Sequence, residues 1–322
     1  MNPPTLILDS LILAPLILEP LILELKGNSL DDGPGIRTVV FFKGCPLDCV
    51  WCHNPESKKT AAEISFESKV CVGCNTCIDT CTQNVLSREN PLFIDRSLCS
   101  LCFDCVDNCP AGALEQIGQK MFISEIVAQV MKDKPFFDTS KGGVTFSGGE
   151  PTLNMAYLGE AAKALKEQGV HVLVETCGQF NYDSFIELVY PHVDLIYFDI
   201  KIMDSHGHKK YCGMPNKRIL ENFKKLHKRY LDGGVAVLPR TPLIPDITDT
   251  KENLLAIVSL YKEEGVKKTQ LMPYHPLWQE KNLKIGISPV LTKEWSPEKW
   301  MAEERLKACE KIFTDGGILL ES

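Results

Sequence analysis

Two hydrophobic periods run along the chain. From residue 143 onward, short β-branched and aromatic runs (GVTFSGGEP, VHVLVETCG, VDLIYFDIK, VAVLPRTPLIP and VKKTQLMPYH) alternate with stretches of helical character. Among the latter are TLNMAYLGEAAKALKEQG and ENLLAIVSLYKEEG, the second closed by Gly265. With TVVFFKG at 38–44, the pattern predicts six strands separated by helices. Strands and helices in alternation imply a parallel sheet, open or closed into a barrel. In either form ligands bind at the carboxyl ends of the strands, where these runs turn polar or glycine-rich.

Two segments break the pattern. Residues 6–25 read LILDS, LILAP, LILEP, LILEL, a tandem repeat interrupted by Pro15, Pro20, Asp9, Glu19 and Glu24. It has no basic flank and no apolar run long enough for a membrane span, so neither a signal peptide nor an anchor is expected. Residues 1–20 are read as a low-complexity leader, and only the final LILEL is expected to join the fold, as a strand. Residues 67–112 carry eight cysteines with little helical periodicity, and are read as a module inserted between barrel segments 21–66 and 113–322.

Composition matters mainly through cysteine. The chain of 322 residues is 44% hydrophobic with a formal charge of −7, ordinary for a soluble core and without the basic stripe of a nucleic-acid binder. Its 14 cysteines are clustered too tightly for a disulfide framework in a chain of this length. Metal binding in a reducing cytoplasm is the expectation.

The insert reads Cys71-x2-Cys74-x2-Cys77-x3-Cys81, then Cys99-x2-Cys102-x2-Cys105-x3-Cys109-Pro110. This is the bacterial ferredoxin spacing twice over, with Thr82 where the first run would usually have proline. In two-cluster ferredoxins the fourth cysteine serves the other cluster. The expected sets are therefore Cys71, Cys74, Cys77 and Cys109 for one 4Fe-4S cluster, and Cys99, Cys102, Cys105 and Cys81 for the other. A pair of zinc sites is the alternative that four-thiolate sets leave open.

A third array, Cys45-x3-Cys49-x2-Cys52, has only three thiolates and leaves one iron of a 4Fe-4S cluster open to an external ligand. The segment SLDDGPGIRTVVFFKGCPLDCVWCHNPES, residues 29–57, resembles the radical S-adenosylmethionine superfamily, and within it the activating enzymes of glycyl radical enzymes that carry a two-cluster ferredoxin insert. The resemblance runs from about residue 25 to the carboxyl end. It implies an α/β fold, a partial (β/α)6 radical SAM barrel with an inserted ferredoxin-like domain. It also implies three 4Fe-4S clusters, S-adenosylmethionine completing the three-cysteine cluster, and anaerobic cytoplasmic chemistry. The implied partners are a glycyl radical enzyme as protein substrate and a flavodoxin- or ferredoxin-type reductant, with no nucleic acid and no membrane.

Carried over by position, Trp51, Cys52 and His53 would lie against the cofactor, Gly149 would meet its methionine end, Asp199, Ile200 and Lys201 would border it, and His275 would reach it from the last strand. Glu150 and the strand edge at Gly148 and Gly149 offer acceptors for its ammonium group. Asp199 with Glu175 and Thr176 resembles a monovalent-cation site of the family, although Asp199 and Lys201 also read as a surface ion pair. Residues 237–249, VLPRTPLIPDITD, are expected to line the mouth, with Asp246 where the family usually has glycine. Cys177, Cys212 and Cys309 match no array and are read as buried small hydrophobes. The competing functions are a radical enzyme acting on a small molecule, such as the deazaguanine-forming synthase, and a ferredoxin-type electron carrier.

Overall fold

The computed structural model describes residues 19–288 and 299–321, so nearly all of the expected leader lies outside the described residues. The strands in chain order are β1 (Leu21–Ser29), β2 (Arg37–Phe42), β3 (Glu63–Phe66), β4 (Leu114–Ile117), β5 (Gln119–Lys120), β6 (Gly143–Gly148), β7 (His171–Thr176), β8 (Leu195–Asp199), β9 (Ala236–Leu243), β10 (Lys268–Pro273) and β11 (Leu319–Leu320). The helices are α1 (Thr76–Thr80), α2 (Asp104–Asp107), α3 (Ile123–Val130), α4 (Lys134–Ser140), α5 (Met155–Glu167), α6 (Tyr182–Leu188), α7 (Ser205–Cys212), α8 (Lys217–Leu231), α9 (Lys251–Glu264), α10 (Trp278–Lys284) and α11 (Glu303–Asp315). No helix among the described residues is long and apolar enough to cross a membrane.

The six predicted strands are β2, β6, β7, β8, β9 and β10, parallel and neighbouring in that order within a nine-stranded sheet. LILEL begins β1, which runs antiparallel on β2 and carries β5 at its outer side, while β11 extends the opposite edge. The parallel strands read as near-continuous apolar runs because both faces are covered. Val144, Val172, Ile196 and Phe198 are all fully buried in one large core with Tyr157, Leu165 and Phe223 from the helices. Local chemistry sets the helix ends. The Thr250 hydroxyl accepts the Asn253 N–H at 3.3 Å at the start of α9, and Gly265 ends that helix at φ 75°.

Residues 67–113 leave the sheet between β3 and β4, which pair antiparallel and close the base of the excursion. Ile64, Val85, Leu86, Phe93, Ile94 and Leu114 form a second hydrophobic cluster there with Cys77 and Cys105. The two cysteine runs repeat one backbone course. Gly73 and Leu101 (φ 75° and 56°), Asn75 and Phe103 (64° and 65°), and Asn84 and Gly112 (53° and 63°) are left-handed at matching places, related by the offset that takes Cys71 to Cys99. Holding leucine and phenylalanine in that conformation costs about 1–2 kcal/mol each.

Lys43, at the end of β2, joins this module to the sheet. Its ammonium is fully buried and donates to Glu63 Oε2 at 2.7 Å and to the Glu56 carbonyl at 2.6 Å. Removing one member of a buried pair strands the other charge. Lys59, 2.8 Å from the other Glu63 oxygen, offsets only part of that loss. We therefore expect Lys43→Met to lower stability by about 3 kcal/mol, read from the denaturant midpoint; a midpoint within error of the wild type would show that this pair does not join the two parts.

Candidate active site

The cysteine loop leaves the carboxyl end of β2 and is pinned on three sides by its own backbone. The Gly44 N–H donates to the Ser57 carbonyl at 2.6 Å and the Cys45 N–H to the Lys58 carbonyl at 3.0 Å. Farther along, the Asp48 and Val50 N–H groups donate to the carbonyls of Cys212 and Tyr211, at 2.9 and 3.0 Å, tying the loop to the end of α7. Lys58 bridges back to Asp48 at 2.6 Å. Cys49 is buried, and Cys45 and Cys52 are half-buried.

Electrostatics distinguish Cys52 from Cys49. Burial pushes the Cys52 thiol up to about 12, reinforced by the negative charge of Cys49. A hydrogen bond with Cys212 holds Cys49 below the ordinary thiol range against the effect of burial, helped by the charges of Lys201 and Lys58. A thiol held as high as that of Cys52 needs added positive charge to ionise, as a cationic metal group supplies.

The sequence-predicted residues converge on this edge of the sheet, in ways that revise several readings. Gly149 meets protein: its N–H donates to the Phe42 carbonyl at 2.8 Å, and a Cβ there would stand 2.1 Å from the Gly44 carbonyl oxygen and 2.8 Å from that of Ser57. The glycine is required by the close approach of the cysteine loop. Glu150 is buried. Its Oε1 accepts from the Thr152 hydroxyl at 2.6 Å and the Thr176 hydroxyl at 2.9 Å, and its Oε2 accepts from the Cys177 N–H at 2.6 Å, so it fixes the end of β7.

Asp199 and Lys201 are no surface pair. Their side chains are 18% and 11% exposed and 2.8 Å apart. Arg240 from β9 joins them, with Nη2 at 3.1 Å from Asp199 and Nη1 at 2.6 Å from Glu175, whose second oxygen accepts from the Ser147 hydroxyl at 2.6 Å. Burial would raise the Asp199 carboxyl, but the Lys201 and Arg240 charges outweigh it and hold it below the ordinary range. Arg240 thus places a positive charge between Glu175 and Asp199, and the Thr176 hydroxyl donates to Glu150. Nothing local in the sequence marks Arg240, because its partners lie on two other strands.

His53 and His275 do meet, with ring centroids 4.0 Å apart, and Trp300 lies 5.5 Å beyond His275. His53 Nε2 and His275 Nδ1 are buried with no hydrogen-bond partner among the described residues, which fits a polar ligand between the first loop and the last strand. Burial, with the charges of His275 and Lys281 adding to it, lowers His53 to about 4. Trp51 and Ile200 are 4% and 1% exposed within the main core, so their side chains offer a ligand almost no surface.

Beside the loop opens a cavity of about 800 Å³, lined by Cys45, Leu47, Val50, Lys58, Tyr211, Asp246, Ile247 and Trp278 among others. The expected mouth segment contributes Asp246 and Ile247 to it. Asp246 stands at φ 61°, a conformation glycine adopts freely, with its N–H on Asp249 Oδ1 at 2.8 Å and its carboxylate on Arg305 at 2.8 Å. In the insert, one small cavity is lined by Cys71, Cys74, Cys77 and Cys109, and another by Cys81, Cys99, Cys102 and Cys105. No group of three or more His, Cys, Asp or Glu among the described residues is spaced to hold a single metal ion.

A parallel sheet with a three-cysteine loop at its carboxyl edge defines the class, and the Radical SAM superfamily pattern matches residues 99–258. The chain is 39% identical over 259 residues to the isethionate sulfite-lyase activating enzyme of Nitratidesulfovibrio vulgaris, covering 79% of this chain and 83% of the relative. It is 35% identical over 291 residues to the trans-4-hydroxy-L-proline dehydratase activating enzyme of Clostridioides difficile, covering 88% and 93%. A radical SAM methyltransferase from Sphaerobacter thermophilus shares the fold, with a TM-score of 0.52 at 14% identity over 94% of this chain and 76% of that one. The chain belongs to the family of glycyl-radical-enzyme activating enzymes within the radical SAM superfamily.

The contact at Gly149 is open to test. Gly149→Ala must push the Gly44 carbonyl aside, and overpacking of this kind costs about 1–3 kcal/mol. The expected result is a lower denaturant midpoint together with weaker iron retention by the Cys45 loop. Unchanged stability and iron content would show that the loop does not need the glycine.

Proposed function

We propose that the chain activates a glycyl radical enzyme, with Cys45, Cys49 and Cys52 holding a 4Fe-4S cluster whose fourth position takes S-adenosylmethionine. The observation that carries this reading is the convergence of that loop with His53, His275 and Lys201 at one sheet edge, in a chain so similar to activating enzymes. When bound, the cluster and cofactor supply an electron and a 5'-deoxyadenosyl radical, which takes a hydrogen atom from a glycine Cα of the partner. The chain's own residues bind and orient. Gly149 seats the loop, His53 and His275, with ring centroids 4.0 Å apart, present unpartnered ring nitrogens, and the Asp199–Lys201 pair borders the cofactor. Trp51 and Ile200 contribute through their backbone course. The cavity beside Cys45, about 800 Å³, is lined by Leu47, Val50, Ile247 and Trp278 together with charged groups such as Lys58, Glu63 and Asp246, and it can admit an extended peptide loop.

Residues 67–112 act as a two-cluster ferredoxin-like domain within barrel segments 21–66 and 113–322. Its clusters are held by Cys71, Cys74, Cys77 and Cys109, and by Cys99, Cys102, Cys105 and Cys81, bringing the total to three. Support comes from the cysteine-lined cavities, which group the thiols in this crossed way. A flavodoxin- or ferredoxin-type protein of the anaerobic cytoplasm would deliver electrons to them.

Iron content and cofactor cleavage test the division of labour. After anaerobic reconstitution the chain should hold about twelve irons, three clusters of four, and the triple change Cys45→Ala, Cys49→Ala, Cys52→Ala should remove about four. With a strong chemical reductant, cleavage of S-adenosylmethionine should survive Cys74→Ala with Cys102→Ala and vanish with Cys49→Ala. Zinc in place of iron, or equal cleavage by the two variants, would contradict the assignment.

A further inference from the structure

The two cysteine sets of the insert follow one backbone course but differ in what surrounds their sulfurs. Beside Cys71 the Arg88 guanidinium is held from several directions. Its Nε and Nη2 donate to Asn75 Oδ1, both at 3.2 Å, its carbon lies 5.1 Å from the centre of the Phe93 ring, and its Nη1 donates to Cys71 Sγ at 3.5 Å. The Thr76 hydroxyl lies 3.4 Å from Cys74 Sγ. The offset that takes Cys71 to Cys99 takes Asn75 to Phe103, Thr76 to Asp104 and Arg88 to Gln116. Phe103 offers no side-chain acceptor to anchor a cation, an ionised Asp104 no donor, and the Gln116 amide donates to the Gly118 carbonyl at 3.0 Å. Arg96, just before Cys99, directs its Nη groups to the carbonyls of Ile64, Leu92, Ile94 and Lys284. Among the described residues, Arg88 is the one cation lining the cavity of the first set, and the cavity of the second is lined by none.

We propose that Arg88 is a positioning residue that, with Thr76, raises the reduction potential of the centre held by Cys71, Cys74, Cys77 and Cys109 above that of its neighbour, so that the first electron to enter the insert rests there. The proposal rests on reading the insert as a two-cluster domain. A guanidinium has only donors and stays charged, so the direction of its bond to Cys71 is fixed whatever the sulfur ligates. A thiolate bound to iron carries no hydrogen, which leaves the Thr76 hydroxyl as the donor to Cys74. A donor on a ligating sulfur and a cation beside it both favour the reduced centre, which carries one more negative charge than the oxidised one. Arg88 is exposed to solvent, which screens part of its field and keeps the expected effect modest.

The test uses the reconstituted full-length protein and its Arg88→Met, Arg88→Lys and Thr76→Val variants. Iron is counted, and a potentiometric titration follows the paramagnetic resonance signals that added S-adenosylmethionine leaves unperturbed, which are those of the insert. The unmodified protein should show two midpoints. With iron content unchanged, Arg88→Met should lower the equilibrium constant for one-electron reduction of the higher-potential centre about threefold to tenfold, the upper figure corresponding to about 59 mV, and leave the other centre in place. Arg88→Lys keeps the charge without the fork and should recover part of the shift. Thr76→Val should move the same centre in the same direction by less. If Arg88→Met loses iron, the other two variants carry the comparison. A single shared midpoint in the unmodified protein, midpoints that no variant moves at full iron content, or a shift of the lower one would each overturn the proposal and leave the two-cluster reading standing. Zinc in place of iron in the unmodified protein would remove that reading and the proposal with it.

Discussion

The contact between Gly149 and the carbonyl of Gly44 is the constraint on which the site depends. The pairing of β2 with β6 brings two strand ends so close that no side chain fits at residue 149, and the backbone continues the ladder beyond the strands. The Gly149 N–H donates to Phe42 and the Glu150 N–H to Gly44, both at 2.8 Å. From that anchored start the loop needs only a few more backbone bonds, to residues 57, 58, 211 and 212, to hold three cysteines in place. A loop held by main-chain hydrogen bonds keeps its geometry whatever the protonation state of its thiols. Metal ligands need that kind of support from beyond their own atoms.

Buried charge is the second organising element. Lys43 with Glu63, and Arg240 and Lys201 with Glu175 and Asp199, place ionic groups where water is largely excluded. Such pairs contribute little net stability relative to apolar residues of similar shape, but losing one partner is expensive. Their effect here is to fix direction. Arg240 reaches from β9 across β8 to a residue of β7, and so locks the carboxyl ends of three neighbouring strands in register. The insert has its own small hydrophobic cluster and is tied to the rest by polar contacts. Arg96 donates to the Lys284 carbonyl at 3.0 Å, and Lys284 pairs with Glu67 at 2.6 Å. The short helix α10 also places Lys281 at 2.7 Å from Asn54, so one element touches both the module and the cysteine loop.

What could be read from the chain was what is local. The six parallel strands and α9 with its Gly265 stop follow from patterns spanning a dozen residues or so. The cysteine arrays are legible because their spacing is short. The crossed grouping of Cys109 with the first run and Cys81 with the second was inferred from ferredoxin chemistry, and the insert's two cavities are lined in that way. Asp246 could be flagged because glycine is usual there, and its positive φ supplies the physical reason. Relations carried by tertiary contact were not legible. The hydrogen bonds that Glu150 takes from Thr152, Thr176 and Cys177 join three segments in this way. Trp51 and Ile200 border the right loop and strand, but nothing nearby in sequence says that their side chains point into the core.

Hydrogen transfer from the partner tests the central claim most directly. The cognate glycyl radical enzyme, deuterated at its glycine Cα, is mixed anaerobically with the reconstituted chain, reductant and S-adenosylmethionine. The account predicts deuterium in the 5'-deoxyadenosine formed and a carbon-centred radical on the partner, seen by electron paramagnetic resonance. Unlabelled 5'-deoxyadenosine with no radical on any glycyl radical enzyme offered, while a small heterocycle consumes the cofactor stoichiometrically, would contradict it.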